Sequence, residues 1–292
     1  MSVHPLVSRI VEDYIDTVDT EAPGLLSGLY LTGSAALGDF HPHTSDIDFV
    51  GVTDTRPDAV AIAALGRAHT QLRDRWPLPH FDGSYVTWDD LANDPARAGQ
   101  GPRSHEGRFY ARGAGPSGDP VTWHTIADYG VACRGPSELK IWTNSEMLAC
   151  WTINNLNTYW RRLLGRASRS LSSWGLATYS PCGVVWIVLG ITRLHYTLAT
   201  GDICSKELAG CYALQTFPEE WRRIVDESLR IRRADYARPN VASALAEVSG
   251  YLRYPQEGGS LYRTPIARRR DVLAFGNMVI TDAHRRYGCQ TG

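Results

Sequence analysis

The chain has 292 residues, of which 43% are hydrophobic, 10% aromatic and 21% charged, and its formal net charge is −1. These values are ordinary for a folded protein with one large core or two moderate ones. They exclude a disordered or fibrous chain, and they give no sign of a strongly basic nucleic-acid binder.

Nothing in the sequence directs the chain to a membrane or out of the cell. It contains no uninterrupted apolar run of about 18 residues or more, and its first twenty residues are acidic and lack a cleavage pattern. The six cysteines show no CxxC or Cys/His metal spacing. They are therefore expected to be reduced core thiols in a cytoplasmic protein.

The charge is distributed unevenly along the chain. Residues 1–140 hold 11 basic and 19 acidic side chains, a net charge of −8, whereas residues 141–292 hold 19 basic and 12 acidic side chains, a net charge of +7. Two such halves attract each other and could line opposite walls of a cleft. An acidic wall suits metal ions and a basic wall suits phosphates, although each charge could equally be solvated.

The first half reads as a mixture of helices and strands. Apolar spacing predicts a helix over Val7 to Val18 and another over Asp58 to Arg75. Strands are predicted near 28–33 and 47–53, over Phe81 to Thr87, and at the sheet edge over Val131 to Arg134. The Gly-rich segment 95–120 is too long for a passive connection, so it is interpreted as a substrate-facing loop or lid, or else as a disordered insertion.

The second half reads as helices alone. Ser137 is expected to cap a helix that runs to about Leu164. Further helices are predicted at Gly183 to Thr200, Ser205 to Phe217, Pro218 to Arg233, Val241 to Arg253 and Pro265 to Arg286. The fold class is therefore α+β, with a mixed sheet and helices in a domain at 1–140 and an all-α bundle in a domain at 141–292.

Residues 31–50 carry the chemistry. An apolar strand enters Gly33-Ser34, and Asp46-Ile47-Asp48 follows at the start of the next strand. The period of two places Asp46 and Asp48 on one face, where a divalent cation would neutralise their repulsion. A Gly-Ser turn lets backbone N–H groups approach phosphate oxygens. Together these parts suit a metal-bound triphosphate.

These residues resemble the nucleotidyltransferase superfamily, whose fold is shared with DNA polymerase β and kanamycin nucleotidyltransferase. Residues 120–127 with Arg134-Gly135-Pro136 resemble the end of the catalytic domain of the aminoglycoside adenylyltransferases that modify streptomycin and spectinomycin. Residues 200–210, Thr-Gly-Asp-Ile-Cys-Ser-Lys-Glu-Leu-Ala-Gly, resemble the signature of their helical C-terminal domain. The resemblance extends over roughly 25 to 235.

The resemblance implies a role for each matching residue. Asp46 and Asp48 would hold Mg²⁺, while Gly33 and Ser34 would hold the phosphates of ATP. Asp82 stands where the family usually has a Glu that acts as general base. Because Asp is shorter by about one methylene, Asp82 could instead be a third metal ligand.

Two residues of the second half complete the expected nucleotide site. Lys206 follows the predicted N-cap Ser205, which is an unfavourable place for a cation unless an anion lies nearby. The matching family Lys contacts the nucleotide phosphates. Arg232 stands near a position where the family has Tyr, and it could pair with phosphate or stack on adenine.

The resemblance implies transfer of AMP from ATP to a hydroxyl of an aminoglycoside-like antibiotic, with release of pyrophosphate and hence resistance. Two alternatives stay open. The first is the same transfer to another acceptor (a non-cationic antibiotic or sugar, a metabolite, a protein or an RNA hydroxyl), and the basic second half favours a neutral or acidic one. The second is a nucleotide-binding regulatory module without turnover, against which the intact Asp46, Asp48 and Asp82 argue. No membrane or nucleic-acid partner is expected. Acceptor, nucleotide preference and oligomeric state do not follow from the sequence.

Overall fold

The computed structural model describes residues 3–113, 118–170, 172–235 and 259–288. It divides the chain into two compact units, Met1–Ser145 and Glu146–Gly292. The division lies close to the predicted boundary near residue 140. The predicted helix over Val241 to Arg253 lies outside the described residues.

A six-stranded mixed sheet forms the centre of the first unit. Its order is β5-β4-β3-β2-β1-β6, with β2 and β3 parallel and the other neighbouring pairs antiparallel. The predicted central strands are confirmed, and the predicted edge strand is at the sheet edge. The strands are β1 Gly28–Leu31, β2 Ile47–Thr53, β3 Phe81–Thr87, β4 Arg103–His105, β5 Arg108–Tyr110 and β6 Val131–Arg134.

Helices cover both faces of this sheet because the strand side chains alternate. Phe49 joins a core cluster that includes side chains of two helices, whereas the next residue, Val50, joins a cluster on the opposite face with Trp123 and Ile126. Asp58 caps one helix by accepting a hydrogen bond from the backbone N–H of Ala61. The helices are α1 Pro5–Glu21, α2 Gly33–Ala36, α3 Ala59–Arg75, α4 Trp88–Leu91 and α5 Pro120–Tyr129.

The interpretation of residues 95–120 as one long loop was wrong. Strands β4 and β5 form a hairpin that extends the sheet beyond β3. The two turn residues, Glu106 and Gly107, have φ values of 51° and 68°. Positive φ at both central positions is the requirement of a type I′ turn, which matches the twist of a two-residue hairpin.

The described part of the second unit is helical. Helix α9 is at its centre, and Val184, Ile187, Val188 and Ile191 of that helix lie in one buried cluster with Val272, Phe275 and Val279. The elements are α6 Ser145–Asn155, a π-helical stretch Leu156–Trp160, α7 Arg161–Ala167, α8 Ser173–Ala177, α9 Pro181–Thr200, α10 Lys206–Thr216, α11 Arg222–Arg233 and α12 Pro265–Tyr287.

The expected start of the first bundle helix was wrong. Ser137 caps no helix, and α6 begins at Ser145. The intervening segment is held by the first unit. Leu139 and Ile141 pack against the core cluster that contains Trp123, and the Trp142 N–H donates to the Leu91 carbonyl over 2.8 Å. These long-range contacts outweigh the local helical preference.

Helix α9 is long and apolar enough to cross a membrane by length and composition alone, with a mean hydropathy of 1.4. In the structure 61% of its apolar window is buried within the protein. Its apolarity is accounted for by its place at the centre of the helical unit, where it meets α10, α11 and α12.

Candidate active site

Two predicted site residues lie side by side on neighbouring strands. In the parallel pairing of β2 and β3, Asp48 is the direct partner of Asp82. Partners in register point to the same face of a sheet, and here this is the face opposite Phe49 and Phe81. Asp46 lies two residues before Asp48, and its negative charge acts on Asp82. The sheet therefore brings carboxylates from two strands together.

Gly33 lies against the carboxylate of Asp48. It has a φ of 55°, and a Cβ placed on it would lie 2.0 Å from Oδ2 of Asp48. The preceding N–H, that of Thr32, donates to the Asp48 carbonyl over 2.9 Å. Gly33 begins α2, whose first N–H groups have no acceptor within the helix. Only glycine allows the backbone to pass this close to the acidic pair.

The hairpin turn holds Asp82. One carboxylate oxygen accepts a hydrogen bond from the Glu106 N–H over 2.7 Å, and the other accepts one from the Gly107 N–H over 3.3 Å. Burial raises the pKa of Asp82, and the charge of Asp46 raises it further, while the two turn N–H groups and His80 lower it. The net shift is upward, which favours proton uptake by this carboxyl.

The donor set of the acidic pair fits magnesium, which prefers a few carboxylate oxygens together with phosphate and water. The approach of Gly33 leaves room beside Asp48 that a larger residue would fill. Across the described ranges, no group of three or more His, Cys, Asp or Glu side chains is placed to hold a metal ion. Asp82 is adjacent to the pair but is bound by the turn.

The sequence interpretation missed the two residues that hold Asp82. Glu106 and Gly107 lie 24 and 25 positions after it, and they contact it through backbone N–H groups, which carry no side-chain signature. The available signal was the Glu-Gly dipeptide between Arg103–His105 and Arg108–Tyr110. It is weaker than the Asn-Gly or Asp-Gly that usually marks a two-residue hairpin.

The predicted N-cap beside Lys206 is present. The Ser205 hydroxyl accepts a hydrogen bond from the Leu208 N–H over 3.1 Å, and Lys206 is the first residue of α10. Its ammonium lies 5.5 Å from the ring centroid of Trp186 on α9. The sequence interpretation did not single out Trp186, because twenty residues separate it from Lys206.

The remaining candidates differ in exposure. Arg232, on α11, is only 3% exposed. Trp123 is fully buried on α5, whereas Trp142 is half-buried. His124 is buried beside Trp123, and its Nε2 has no hydrogen-bond partner within the described part of the chain.

Comparisons with known proteins agree with this architecture. Residues 11–100 match the nucleotidyltransferase domain, and residues 179–256 match the C-terminal domain of aminoglycoside adenylyltransferases. No curated protein matched the chain. Together with the sheet and its acidic pair, the first match defines a nucleotidyltransferase. The second match is more specific: the chain carries the C-terminal domain of aminoglycoside adenylyltransferases and is an adenylyltransferase enzyme.

A solved structure has a similar fold over almost the whole chain. It is the spectinomycin adenyltransferase AAD(9) from Enterococcus faecialis with ATP and spectinomycin, with a TM-score of 0.53 and 14% sequence identity. The likeness covers 93% of this chain and 98% of that one. At this identity it confirms the predicted fold class, a mixed-sheet nucleotidyltransferase domain followed by helices, and no more.

Proposed function

We propose that the enzyme transfers AMP from ATP to a hydroxyl of an aminoglycoside-like antibiotic, releases pyrophosphate, requires Mg²⁺ and so confers antibiotic resistance. The observation that carries the proposal is the register of β2 and β3. It sets Asp48 beside Asp82 with Gly33 against the Asp48 carboxylate. ATP as co-substrate accords with a cytoplasmic location.

Each residue has a distinct role in this proposal. Asp46 and Asp48 hold the magnesium ion, which when bound neutralises phosphate charge. Gly33 and Ser34 offer backbone N–H groups and a hydroxyl to the terminal phosphates. Asp82 takes the proton of the acceptor hydroxyl. Its upward-shifted pKa and its fixed position support the role of base over that of third metal ligand.

The second unit contributes cations to the same proposal. Lys206 neutralises charge on the nucleotide phosphates, and this offsets its unfavourable place at a helix N-terminus. Arg232 is assigned to phosphate or adenine contact. Arg232 is only 3% exposed, so its assignment comes from the family resemblance and not from its exposure.

A non-cationic acceptor is the second candidate, and one observation favours it. Asp202 and Glu207, two acids near α9 that could bind a cationic antibiotic, both have local partners. Glu207 accepts a hydrogen bond from Arg233 over 2.9 Å, and Asp202 accepts one from the Ile203 N–H over 2.7 Å. The acceptor panel should therefore include neutral sugars and metabolites beside aminoglycosides.

The proposal is tested by incubating the chain with ATP, Mg²⁺ and the acceptor panel, and by measuring pyrophosphate and adduct mass. Asp48→Asn should reduce transfer by at least about 1,000-fold, because a neutral amide holds Mg²⁺ poorly. The matched control is Asp54→Asn, an exposed acid just after the other end of β2 that accepts a hydrogen bond from Trp88. Equal activity of both variants would refute the metal role of Asp48.

The same assay separates the two roles of Asp82. If Asp82 is the base, Asp82→Asn abolishes transfer and leaves the affinity for Mg–ATP nearly unchanged. Joint loss of transfer and nucleotide affinity would identify it as a metal ligand. An adduct on neutral acceptors alone would establish the second candidate function and exclude the aminoglycoside assignment.

A further inference from the structure

Trp186 is an exposed aromatic residue on an otherwise buried helix. Its neighbours Val184, Val185, Ile187 and Val188 on α9 are all buried, yet 42% of Trp186 is exposed. A single exposed apolar side chain is common at protein surfaces, so the exposure of Trp186 does not by itself indicate a role. Its position does place the ring against a cation, because the ammonium of Lys206 lies 5.5 Å from the ring centroid.

That contact addresses an electrostatic conflict. Lys206 is the first residue of α10, where the helix dipole disfavours a positive charge. The face of an indole ring carries negative charge and attracts an ammonium, and the two effects are of comparable size. Trp186 therefore offsets the unfavourable field at this end of the helix.

The indole ring is itself held in place. The Tyr159 ring packs edge-on against that of Trp160, with the ring centroids 5.3 Å apart. The Trp160 ring lies 5.8 Å from that of Trp186, tilted by 35°. Tyr159 and Trp160 both belong to the π-helical stretch Leu156–Trp160, a local geometry found frequently at functional sites. Trp160, which itself packs against Tyr159, thus braces the ring that contacts the lysine.

We infer that Trp186 is a positioning residue: it holds the Lys206 ammonium in the place from which it contacts the nucleotide phosphates. The inference rests on the role of Lys206 in the proposed function. A lysine side chain has several rotatable bonds, and restraining it before the nucleotide arrives lowers the entropy lost on binding. Trp186 acts on nucleotide affinity through Lys206 and touches no reacting atom.

The test is the dissociation constant of Mg–ATP, measured by calorimetry without any acceptor, together with the KM for ATP and kcat. Trp186→Ala should weaken Mg–ATP binding by about five- to tenfold and leave kcat within about twofold. Trp186→Phe should restore most of the affinity, because it keeps an aromatic face. Leu208→Ala is the matched control, since it truncates another exposed apolar side chain, 48% exposed on α10, and should change neither value.

A double-mutant comparison shows whether Trp186 acts through the lysine. In the Lys206→Ala background, Trp186→Ala should have no further effect on affinity. The inference would be overturned by any of three results: additive losses of affinity in the double mutant, unchanged affinity in Trp186→Ala, or no rescue of affinity by Trp186→Phe. The proposed transfer is tested separately by Asp48→Asn. Absence of Mg–ATP binding by the unmodified chain would overturn both. Binding without transfer to any acceptor would leave the inference standing and refute only the transfer.

Discussion

Gly33 shows how one residue constrains the acidic pair. The Gly-Ser turn after an apolar strand is visible in the sequence, but its cause is not. In the structure the reason is steric, because a side chain at this position would enter the carboxylate of Asp48. Glycine is required because Gly33 contacts Asp48, 15 positions later in the chain, and because its φ is positive.

Gly33→Ala should therefore damage both stability and activity. The φ of 55° costs a residue with a Cβ roughly 1–2 kcal/mol, and the 2.0 Å approach to Oδ2 forces Asp48 to move. A displacement of about 1 Å at a reacting centre costs on the order of 100-fold in rate. Urea unfolding and pyrophosphate release measure the two effects.

Gly24→Ala separates strain from displacement. Gly24 has a similar φ of 75°, but a Cβ placed on it has no neighbour within 4 Å. This variant should lose stability and keep its activity. If it loses as much activity as Gly33→Ala, backbone strain and not the movement of Asp48 explains both results.

At the scale of elements, the β4–β5 hairpin is the main departure from expectation. The sequence placed Asp82 correctly in a strand beside Asp48 but gave no partner for it. The hairpin folds back onto β3 and delivers two N–H groups to the Asp82 carboxylate. A segment interpreted as a loop or lid is, over Arg103–His105 and Arg108–Tyr110, part of the sheet that holds a site residue.

Gly107→Ala tests this support. Its φ of 68° disfavours alanine, and the added Cβ would lie 3.0 Å from Nδ1 of His80, so the turn should shift. The two turn N–H groups lower the pKa of Asp82, and their weakening should raise that pKa further. If Asp82 is the base, activity falls as pH falls through its pKa, and the acidic limb of the kcat profile should move to higher pH by up to about one unit.

The pH profile of Gly107→Ala needs two references. Gly24→Ala should reproduce the unmodified profile, because a Cβ placed on Gly24 has no neighbour within 4 Å and so displaces nothing. Asp82→Glu should keep a titrating base but alter the position of the carboxylate. An unchanged acidic limb in Gly107→Ala would show that the turn does not set the protonation of the base.

At the scale of the whole molecule, the first unit contains a polar group deep in its core. His69 is 6% exposed, and its Nε2 lies 2.7 Å from the hydroxyl of Tyr85 and 3.3 Å from that of Tyr14. Burial lowers the pKa of His69 to about 3. The folded protein therefore keeps this imidazole neutral at pH values where the unfolded chain takes up a proton.

His69 should make the first unit less stable in acid. Its pKa is lowered on folding, so its contribution is complete above the unfolded value of about 6.5 and is lost as pH falls from there towards 3. The loss amounts to at most about 1.4 kcal/mol per pH unit.

Urea unfolding at several pH values should show that the free energy of unfolding depends less steeply on pH in His69→Gln than in the unmodified chain. His43→Gln, an exposed histidine of the same unit, should leave the dependence unchanged; equal slopes in all three proteins would exclude His69 as the cause.

Some of the charged side chains of each unit form ion pairs within that unit, which leaves its net charge unchanged. In the acidic first unit Arg134 pairs with Asp19 over 2.5 Å. In the basic second unit the buried Glu227 pairs with Arg230 and Arg268, over 2.9 and 3.3 Å. Breaking a buried pair leaves an uncompensated charge, so the pairs of Glu227 serve the integrity of the second unit first, whereas the more exposed pair of Arg134 and Asp19 contributes less.

The sequence by itself determined the fold class, the central strands, the family and the order of the candidate site residues. The central strands and the order of the site residues follow from local signals, namely the apolar strands on either side of Gly33-Ser34 and Asp46-Ile47-Asp48, the N-cap Ser205 and the Asp46–Asp48 spacing. The family follows from the resemblance of residues 31–50, 120–136 and 200–210. The tertiary structure decided how Asp82 is held by a hairpin turn and how Lys206 is placed over Trp186. Both contacts join residues at least twenty positions apart. The first uses backbone N–H groups and the second uses an aromatic face, and neither group has a partner until the elements pack together.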